Sequence, residues 1–453
     1  MSAPPFREEF LILIRILLVL IVLLIDRSTL LALENGQEVS KEGRPAPNGK
    51  NEVPPVIDPD ASPALSFEIT PRLSVGAKIE INFLRRINRD LDRAEEDDRI
   101  DTEASLDLAA QLILTKDILF FVDLDFSDER LFRDGEGQAE RETKGQFDRL
   151  YLLWERFFSP SLDLQVGRQR FNDAREWLYD EELDAVRLFY TQAPFDLELS
   201  ASTNLLDPEG PEEKIRNYVL YGTYQFGRKE KISVYVVAQR DPTDEERNPN
   251  FVGLLWRGKA IEDQKYWLEI ASLSGREDST RLSGYAFDFA WTSEFDLPLE
   301  PSVTIGYAFG SGDPEPEDGV DRNFRQTGLQ DNEAKFNGVR KFKYYGELFD
   351  PELSNMRIRT LGFGIIPFEK FSFDVVFHSY SLVYSGVELR DTGIREDPSG
   401  TSKNLGKEVD LIVGFKMTPE MLLEVSTAAF VPGKAFPGAG NAYSGEVTIR
   451  VSF

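Results

Sequence analysis

The single histidine is the first residue to test for catalytic chemistry. His378 is followed by Ser379 and Ser381, and Asp374 and Tyr380 lie nearby in the sequence. A serine hydrolase needs its hydroxyl within hydrogen-bond reach of the imidazole. In an extended segment, neighbouring side chains point to opposite faces, so both serines project away from His378. We therefore predict that His378 is a polar wall residue and that the chain is not an enzyme.

Composition also limits metal, phosphate and nucleic-acid chemistry. The chain has no cysteine and one histidine, which excludes a zinc site of Cys and His ligands. The run Gly167 to Arg170 lacks the strand-to-helix context of a phosphate loop. A formal net charge of −27 argues against a nucleic-acid partner, because phosphates are bound by Lys and Arg. We expect no cofactor, and we leave open divalent cations on acidic loops.

Charged residues alternate with apolar ones along many segments, a spacing that suits a channel wall. If the apolar parity faces lipid, the opposite parity carries the basic residues Lys78, Arg149, Arg187, Lys416 and Arg450. The same parity carries the acidic residues Glu80, Asp107, Asp123, Asp125, Glu155, Asp163, Asp196, Glu198, Asp288, Asp374, Glu408, Asp410, Glu424 and Glu446. An acidic excess in a pore favours cations over anions.

Two interpretations of the wall arginines stay open. They form a selectivity ladder, or they pair with neighbouring carboxylates and fix the strand register. Four further arginines, Arg168, Arg170, Arg357 and Arg359, fall on the apolar parity. A one-residue bulge would turn them inward, or they lie at the rim. The predicted pore-lining set is Arg149, Arg168, Arg170, Arg187, Arg357, Arg359, Lys416, Arg450, Asp123, Asp125 and Asp410.

Strands must position these residues, and about eighteen are predicted. From Leu73 onward, apolar and polar residues alternate in segments separated by turn residues, and the last segment is Asn441 to Phe453. Beyond the N-terminal segment, no stretch approaches the roughly 18 apolar residues of a spanning helix. We predict an all-β fold, a closed antiparallel transmembrane β-barrel with long extracellular loops and short periplasmic turns.

The connections between the predicted strands alternate in length. Counted from the first strand, the odd-numbered connections are longer and polar. The seventh of these long loops runs from Ser311 to Met356. The even-numbered ones, such as Thr418 to Glu420, are mostly tight turns. A Greek-key sandwich would scatter these lengths, whereas a membrane barrel separates them to its two ends. We therefore expect both termini in the periplasm.

The N-terminal part has a different composition. Phe10 to Ile25 is apolar except for Arg15, which predicts an irregular signal peptide over residues 1–32, with an uncleaved inner-membrane anchor as the alternative. Residues 33–64 are rich in Pro, Gly and charged residues, which predicts a disordered periplasmic leader. The barrel is expected to occupy residues 65–453.

Three stretches of the chain form a distinctive combination. They are Val166 to Arg170 with Trp177, Asp184 and Arg187 after it; Phe324 to Asn332, Tyr344 to Leu348 and Pro351 to Asn355; and Val431 to Phe436. Together they resemble the alginate export family of outer-membrane proteins. The resemblance implies a monomeric 18-stranded barrel and, in the family's namesake, export of a polyanionic polysaccharide through an arginine-rich pore. The short turn Thr418 to Glu420 differs from the extended turn that closes the namesake.

The seventh long loop, Ser311 to Met356, is a candidate constriction. It would fold into the pore or bind calcium through its carboxylates, or it would stand as a solvated outer loop. The predicted constriction residues are Asp331, Asn332, Tyr344, Tyr345, Glu352 and Asn355.

We predict a passive outer-membrane channel for a hydrophilic solute or an exopolysaccharide such as alginate. The alternatives are a cation-preferring general porin and a surface-binding or scaffold barrel with a plugged lumen.

Overall fold

The structure is a computed structural model that describes residues 62–94, 98–133, 139–205, 215–227, 229–241, 247–259 and 263–453. In this part of the chain, no helix has the length and apolar character needed to cross a membrane. The predicted signal peptide over residues 1–32 and the predicted leader up to residue 61 lie outside the described residues.

Twenty-two strands follow one another along the described chain. They are β1 (Phe67–Thr70), β2 (Leu73–Ile87), β3 (Asp98–Ile113), β4 (Ile118–Arg133), β5 (Glu140–Trp154), β6 (Leu162–Asn172), β7 (Asp180–Gln192), β8 (Phe195–Thr203), β9 (Arg216–Phe226), β10 (Glu230–Arg240), β11 (Asn248–Gly258), β12 (Gln264–Glu277), β13 (Thr280–Glu294), β14 (Ser302–Gly310), β15 (Val320–Asp321), β16 (Glu333–Ala334), β17 (Phe342–Lys343), β18 (Met356–Phe368), β19 (Phe371–Leu382), β20 (Asn404–Lys416), β21 (Met421–Pro432) and β22 (Ala442–Ser452). The eighteen strands β2–β14 and β18–β22 form a barrel, and β15–β17 are short strands within one loop.

The barrel closes by pairing its first and last strands. Each barrel strand is antiparallel to the next, and β22 pairs with β2 from Ser452 opposite Lys78 to Tyr443 opposite Ile87. Phe453 extends this seam, because its N–H donates to the carbonyl of Ala77 at 2.8 Å and its own carbonyl accepts from the N–H of Ala77 at 2.6 Å. Closure leaves no unpaired sheet edge in lipid. The prediction of a closed antiparallel 18-strand barrel is confirmed.

Alternation gives the wall an apolar outer face and a polar inner face. Leu199, Leu220 and Phe363 are among the exposed apolar side chains, whereas Ser200 and Asp288 are among the buried polar ones. Successive strand residues point to opposite sides of a sheet. The pattern is that of a barrel with lipid outside and a polar lumen inside.

One bulge sets the orientation of β5. The register between β4 and β5 shifts between Asp123 and Leu124, which lie opposite Arg149 and Phe147. Asp148 is therefore the extra residue. It allows Phe147 to point outward while Arg149 points into the lumen.

The connections sort by length to the two ends of the barrel. The turn end has short links such as residues 193–194, 369–370 and 417–420, and the loop end has long ones such as residues 311–355 and 383–403. One link departs from the predicted alternation, because residues 278–279 alone join β12 to β13 at the loop end. We call residues 173–179 loop L3 and residues 311–355 loop L7.

Candidate functional site in the barrel lumen

Loop L7 folds back into the barrel. Its buried aromatic side chains are Phe324, Phe336, Phe342, Tyr344, Tyr345 and Phe349. The ring of Phe349 stacks on Phe430 of β21 with 4.9 Å between centroids, and Phe336 lies 6.1 Å from Trp267 of β12. A solvated loop would leave such rings in water, at a cost in hydrophobic free energy. Loop L7 is therefore folded into the barrel and is not a solvated outer loop.

Polar contacts fix loop L7 to the wall. Tyr380 Oη donates to the carbonyl of Tyr345 at 2.8 Å. The backbone N–H groups of Leu348 and Phe349 donate to the carboxylate of Glu408 at 2.8 and 2.9 Å. Because buried polar groups need partners, a wall carboxylate that accepts from loop backbone selects one position for the loop.

Loop L3 contributes a buried cation, Arg175, which is 3% exposed. Its Nη1 lies 2.5 Å from Asp288, and its Nη2 contacts Glu269. The guanidinium carbon lies 5.0 Å from the ring centroid of Trp267 and 5.4 Å from that of Tyr344 on loop L7. Arg175 therefore joins both loops to β12 and β13 through charge and cation–π contacts.

Lysines of loop L7 neutralise an acidic group between the two loops. Glu176, Asp331 and Glu333 have carboxylate oxygens close enough to share a metal ion. Lys341 Nζ lies 2.7 Å from Glu176, and Lys343 contacts Asp331. These ammonium groups already supply the positive charge that a cation would bring.

The acidic start of loop L7 is paired as well. Arg322 lies 3.4 Å from Asp313 and 2.7 Å from Asp318, and Arg325 lies 2.7 Å from Asp321. The expectation of divalent cations on acidic loops gains no support from these contacts.

The predicted constriction residues all lie on loop L7. Asn332, Tyr344, Tyr345 and Glu352 are buried, whereas Asp331 and Asn355 are partly exposed. Glu352 accepts from the backbone N–H of Gln326 at 2.7 Å. The four buried residues contribute to the packing of loop L7. An effect of any of them on the passage of a solute through the channel stays a prediction.

Burial shifts two carboxyl groups on these loops. Desolvation raises the pKa of Glu352 to about 7, although Arg390 opposes the shift. Desolvation also raises the pKa of Glu176 to about 7, against the charge of Lys341. A low-dielectric setting favours the neutral acid. The packing of both loops is therefore expected to depend on pH near neutrality.

Two wall arginines pair with carboxylates of adjacent strands. Arg187 of β7 donates to Glu198 of β8 through Nε at 3.0 Å and Nη2 at 2.8 Å. Arg450 of β22 lies 2.7 Å from Glu80 of β2 and 2.5 Å from Glu424 of β21. Such charge-assisted pairs are strong and directional. The geometry favours the register-fixing interpretation over a ladder of free cations.

Two arginines predicted to line the pore, Arg357 and Arg359, lie on the outer face instead. They share the parity of the exposed Leu361, and their guanidinium groups lie 6.0 and 5.9 Å from the rings of Phe309 and Tyr307. The register of β14 with β18 continues without a shift through this region, so no bulge turns the two arginines inward.

Arg168 and Arg170 also keep the outward parity, that of the exposed Val166. Arg168 lies 3.5 Å from Asp184, and Arg170 contacts Asp180. The register of β6 with β7 is unbroken, and Arg170 also lies 3.9 Å from Glu176 of loop L3. Both arginines are therefore paired and largely buried near the loop end, and their role in lining the pore stays a prediction.

His378 lies in the wall beneath loop L7. Its Nε2 is 3.3 Å from Asp410 Oδ2, and its Nδ1 is 3.0 Å from the hydroxyl of Thr360. Ser379 and Ser381 have the opposite parity on β19, so no pair of serine and histidine assembles here. Further along the inner face that carries Asp410 lies Lys416, half-buried at the turn end of β20.

The lumen beside β2–β5 and β22 is less covered by the loops, and we call it the open sector. The side chains of Glu80, Glu446 and Glu182 at its border are 24%, 28% and 30% exposed. Those of Asp288 and Glu269 beneath the loops are 4% and 1% exposed. The carboxylates at this border are therefore less buried than those beneath loops L3 and L7.

Residues 62–64, the end of the predicted leader, lie on the lumen wall of this sector. Arg149 donates to the Ser62 hydroxyl at 2.6 Å and lies 3.3 Å from Glu182. The carbonyl of Ala64 packs against Gly76, where a Cβ would approach it to 2.0 Å. Gly76 therefore permits this close crossing of backbone over strand.

Sequence reasoning missed the cations that hold the loops, namely Arg175, Lys341 and Lys343. They lie in connections, where the two-residue period assigns no face. The sequence did contain a signal that the loop itself is buried. Residues 324–349 are rich in aromatic side chains, which a solvated loop would leave exposed to water.

Comparison with known proteins agrees with this architecture. A profile of the Alginate export family matches residues 71–450. The alginate production protein AlgE of Pseudomonas aeruginosa is 27% identical over 348 residues, which are 65% of this chain and 70% of that protein. AlgE of Azotobacter vinelandii is 25% identical over 176 residues, 34% of this chain and 36% of that protein.

Solved outer-membrane structures share the fold. Pseudomonas aeruginosa OccK5 (OpdH) superimposes with a TM-score of 0.57 at 10% identity, over 84% of this chain and 97% of its own. OprD of the same organism gives 0.54 at 12% identity, over 84% of this chain and 93% of its own. At this identity the likeness concerns the barrel alone. The family match spans residues 71–450, far more than half of the chain, and the chain therefore belongs to the alginate export family of outer-membrane β-barrel proteins.

Proposed function

We propose that this protein is a passive channel through which a hydrophilic polysaccharide of the alginate type crosses the outer membrane. The match of the Alginate export family over residues 71–450 carries the proposal. The relatives named AlgE are alginate production proteins, and a barrel with a polar lumen suits a hydrated sugar chain.

Passage follows the open sector, since loops L3 and L7 fill the opposite side. Charged and amide side chains there exchange hydrogen bonds with a polymer as it loses hydration water. The long loops lie outside the cell and both termini lie in the periplasm, as in other membrane barrels. One barrel, without a second copy, encloses the route.

Two measurements test the proposal. In cells that lack the gene, restoring it should return polymer to the medium, and a variant of an exposed turn residue, Lys116→Ala, should do the same. In a planar bilayer, the purified barrel should give a stable conductance. A barrel that never conducts and never restores export would favour the plugged scaffold instead. Conductance that excludes every anion, without export, would favour a cation-preferring porin.

A further inference from the structure

Three carboxylates converge on the wall of the open sector. Asp107 of β3 lies directly opposite Asp125 of β4, and Asp148 is the bulge residue of β5. One carboxylate oxygen of each lies within 4.8 Å of the other two. Like charges directly opposite each other on a sheet repel, so this arrangement is costly unless a positive charge balances it.

The balance available from side chains is incomplete. Lys78 Nζ lies 3.1 Å from Asp107, and Gln146 donates to Asp148 at 3.1 Å. Asp107 is 4% exposed and Asp125 is 8% exposed. A buried carboxylate requires a cation or a proton. One ammonium group cannot balance the charge of three ionised carboxylates.

A fourth carboxylate, Asp123, gives an independent sign of a missing partner. It is 2% exposed, and its Oδ1 has no hydrogen-bond partner among the described residues. It precedes Asp125 by two residues on the same inner face. Its register partners are Ala109, two residues from Asp107, and Arg149, next to Asp148. Arg149 and Lys78 together bring two positive charges to four carboxylates. The unsatisfied oxygen therefore borders the cluster.

We propose that Asp107, Asp125 and Asp148, with Asp123 beside them, bind a divalent cation of the calcium type in the lumen. Carboxylate oxygens are the ligands that Ca²⁺ prefers, and the ion accepts water at its remaining positions. The site differs from the acidic groups of loop L7, where lysines and arginines already supply the positive charge.

The ion has a consequence that rests on the proposed function. A bound Ca²⁺ would offset two negative charges of the wall and present a cation to the passing polymer. A carboxylated polysaccharide would then meet an attractive site where the bare wall repels it. The acidic lumen and an anionic substrate become compatible in this way.

Calcium titration of the folded barrel in detergent tests the site directly. The wild-type protein should bind Ca²⁺ with a Kd of about 1 mM or tighter, in the range of extracellular calcium modules. The double variant Asp125→Asn/Asp148→Asn should bind at least about tenfold more weakly, because two charged ligands are lost. The matched control is Glu103→Gln/Glu129→Gln, an opposed acidic pair of the same inner face. It should bind Ca²⁺ more tightly than the double variant, because it keeps every proposed ligand.

Heat-modifiable mobility on gels verifies that each variant is folded. An absence of Ca²⁺ binding by the wild-type barrel would overturn the proposal, as would equal binding by the Asp125→Asn/Asp148→Asn variant.

Ion selectivity separates this proposal from the proposed function. Millimolar Ca²⁺ should shift the reversal potential of the wild-type channel toward anions and leave the double variant unchanged. Calcium binding without any conductance would refute the channel and leave the site. Conductance that never responds to Ca²⁺, in a barrel that does not bind the ion, would refute the site and leave the channel.

Discussion

Buried charges in this lumen depend on their partners, and Arg175 is the clearest case. Arg175 is 3% exposed, and its guanidinium lies between the carboxylates of Glu269 and Asp288. Removing a positive or a negative charge from water costs free energy, and only a short, well-oriented ion pair offsets that cost. The ion pairs of Arg175 with Glu269 and Asp288 therefore hold loop L3 in the lumen.

Replacing Arg175 should destabilise the protein strongly. In Arg175→Met, Glu269 and Asp288 lose their cation, and breaking a buried pair in this way costs about 3–5 kcal/mol. Urea unfolding followed by tryptophan fluorescence measures the change, since Trp177 and Trp267 lie in the same region. Arg322→Met removes a partly exposed arginine that pairs with Asp318 and Asp313 on loop L7, so it should lower the unfolding midpoint much less than Arg175→Met does. Equal midpoints for the two variants would contradict this account.

At the scale of elements, loop L7 decides how much of the lumen is open. Its rings pack against β12 and β21, and its backbone satisfies Glu408 of β20. Many contacts of this kind, each small, hold a long connection in a place where water would otherwise be. The loop is therefore part of the interior of the molecule.

Shortening loop L7 should widen the channel. We expect replacement of residues 328–352 by a short Gly-Ser linker to raise single-channel conductance several-fold, because the buried rings of the loop leave the lumen. Planar bilayer recording measures this. The control replaces the exposed residues 314–319 with Gly and Ser at equal length and should leave conductance unchanged. An unchanged conductance in the shortened barrel would show that loop L7 does not limit flow.

Loop packing should loosen as the pH rises. The pKa values of Glu176 and Glu352 are about 7 in the folded protein and 4.5 as reference values, so both loops favour the protonated acids. Their contribution to packing is complete below the reference value and is lost as the pH rises through about 7. Conductance should therefore increase between about pH 5 and pH 8.

The double variant Glu176→Gln/Glu352→Gln should flatten this increase, since neither amide titrates. Glu315→Gln, an exposed position on loop L7, should keep the wild-type profile. A profile that is the same in all three proteins would remove these two carboxyls as its cause.

At the scale of the whole molecule, closure depends on the seam between β2 and β22. Arg450 lies directly opposite Glu80 across this seam and also reaches Glu424 on the other side of β22. A one-residue slip would move these groups to opposite faces. The three charges therefore specify the register in which the barrel closes.

Removing Arg450 should affect stability more than selectivity. Arg450→Ala leaves Glu424 buried without this cation, and we expect a loss of about 3 kcal/mol in unfolding free energy. The reversal potential should stay near the wild-type value, because the arginine is paired and not free in the pore. Arg359→Ala, on the outer face, is the control for stability. A large change in selectivity at normal stability would restore the ladder interpretation.

The two-residue alternation of apolar and polar residues could be predicted well from the sequence, and the ends of the strands less well. β5 begins at Glu140, before the predicted start at Phe147, because the polar ends of long strands continue beyond the apolar band. The bulge at Asp148 had no local mark in the sequence, and only pairing with β4 reveals it. Wall placements of Arg187 and Arg450 followed from alternation, whereas the inward prediction for Arg357 and Arg359 required a bulge that is absent from their register.

The sequence by itself determined a barrel, because lipid and water act on every strand and impose a two-residue period that can be read locally. It also determined the even strand number and which side of each strand is polar. Only the tertiary structure decided which charges are partners and which side of the lumen is filled. Arg175 and Asp288 are 113 residues apart in the chain, and Asp107, Asp125 and Asp148 come from three different strands. Pairing at such separations depends on closure of the whole sheet, so no local pattern records it.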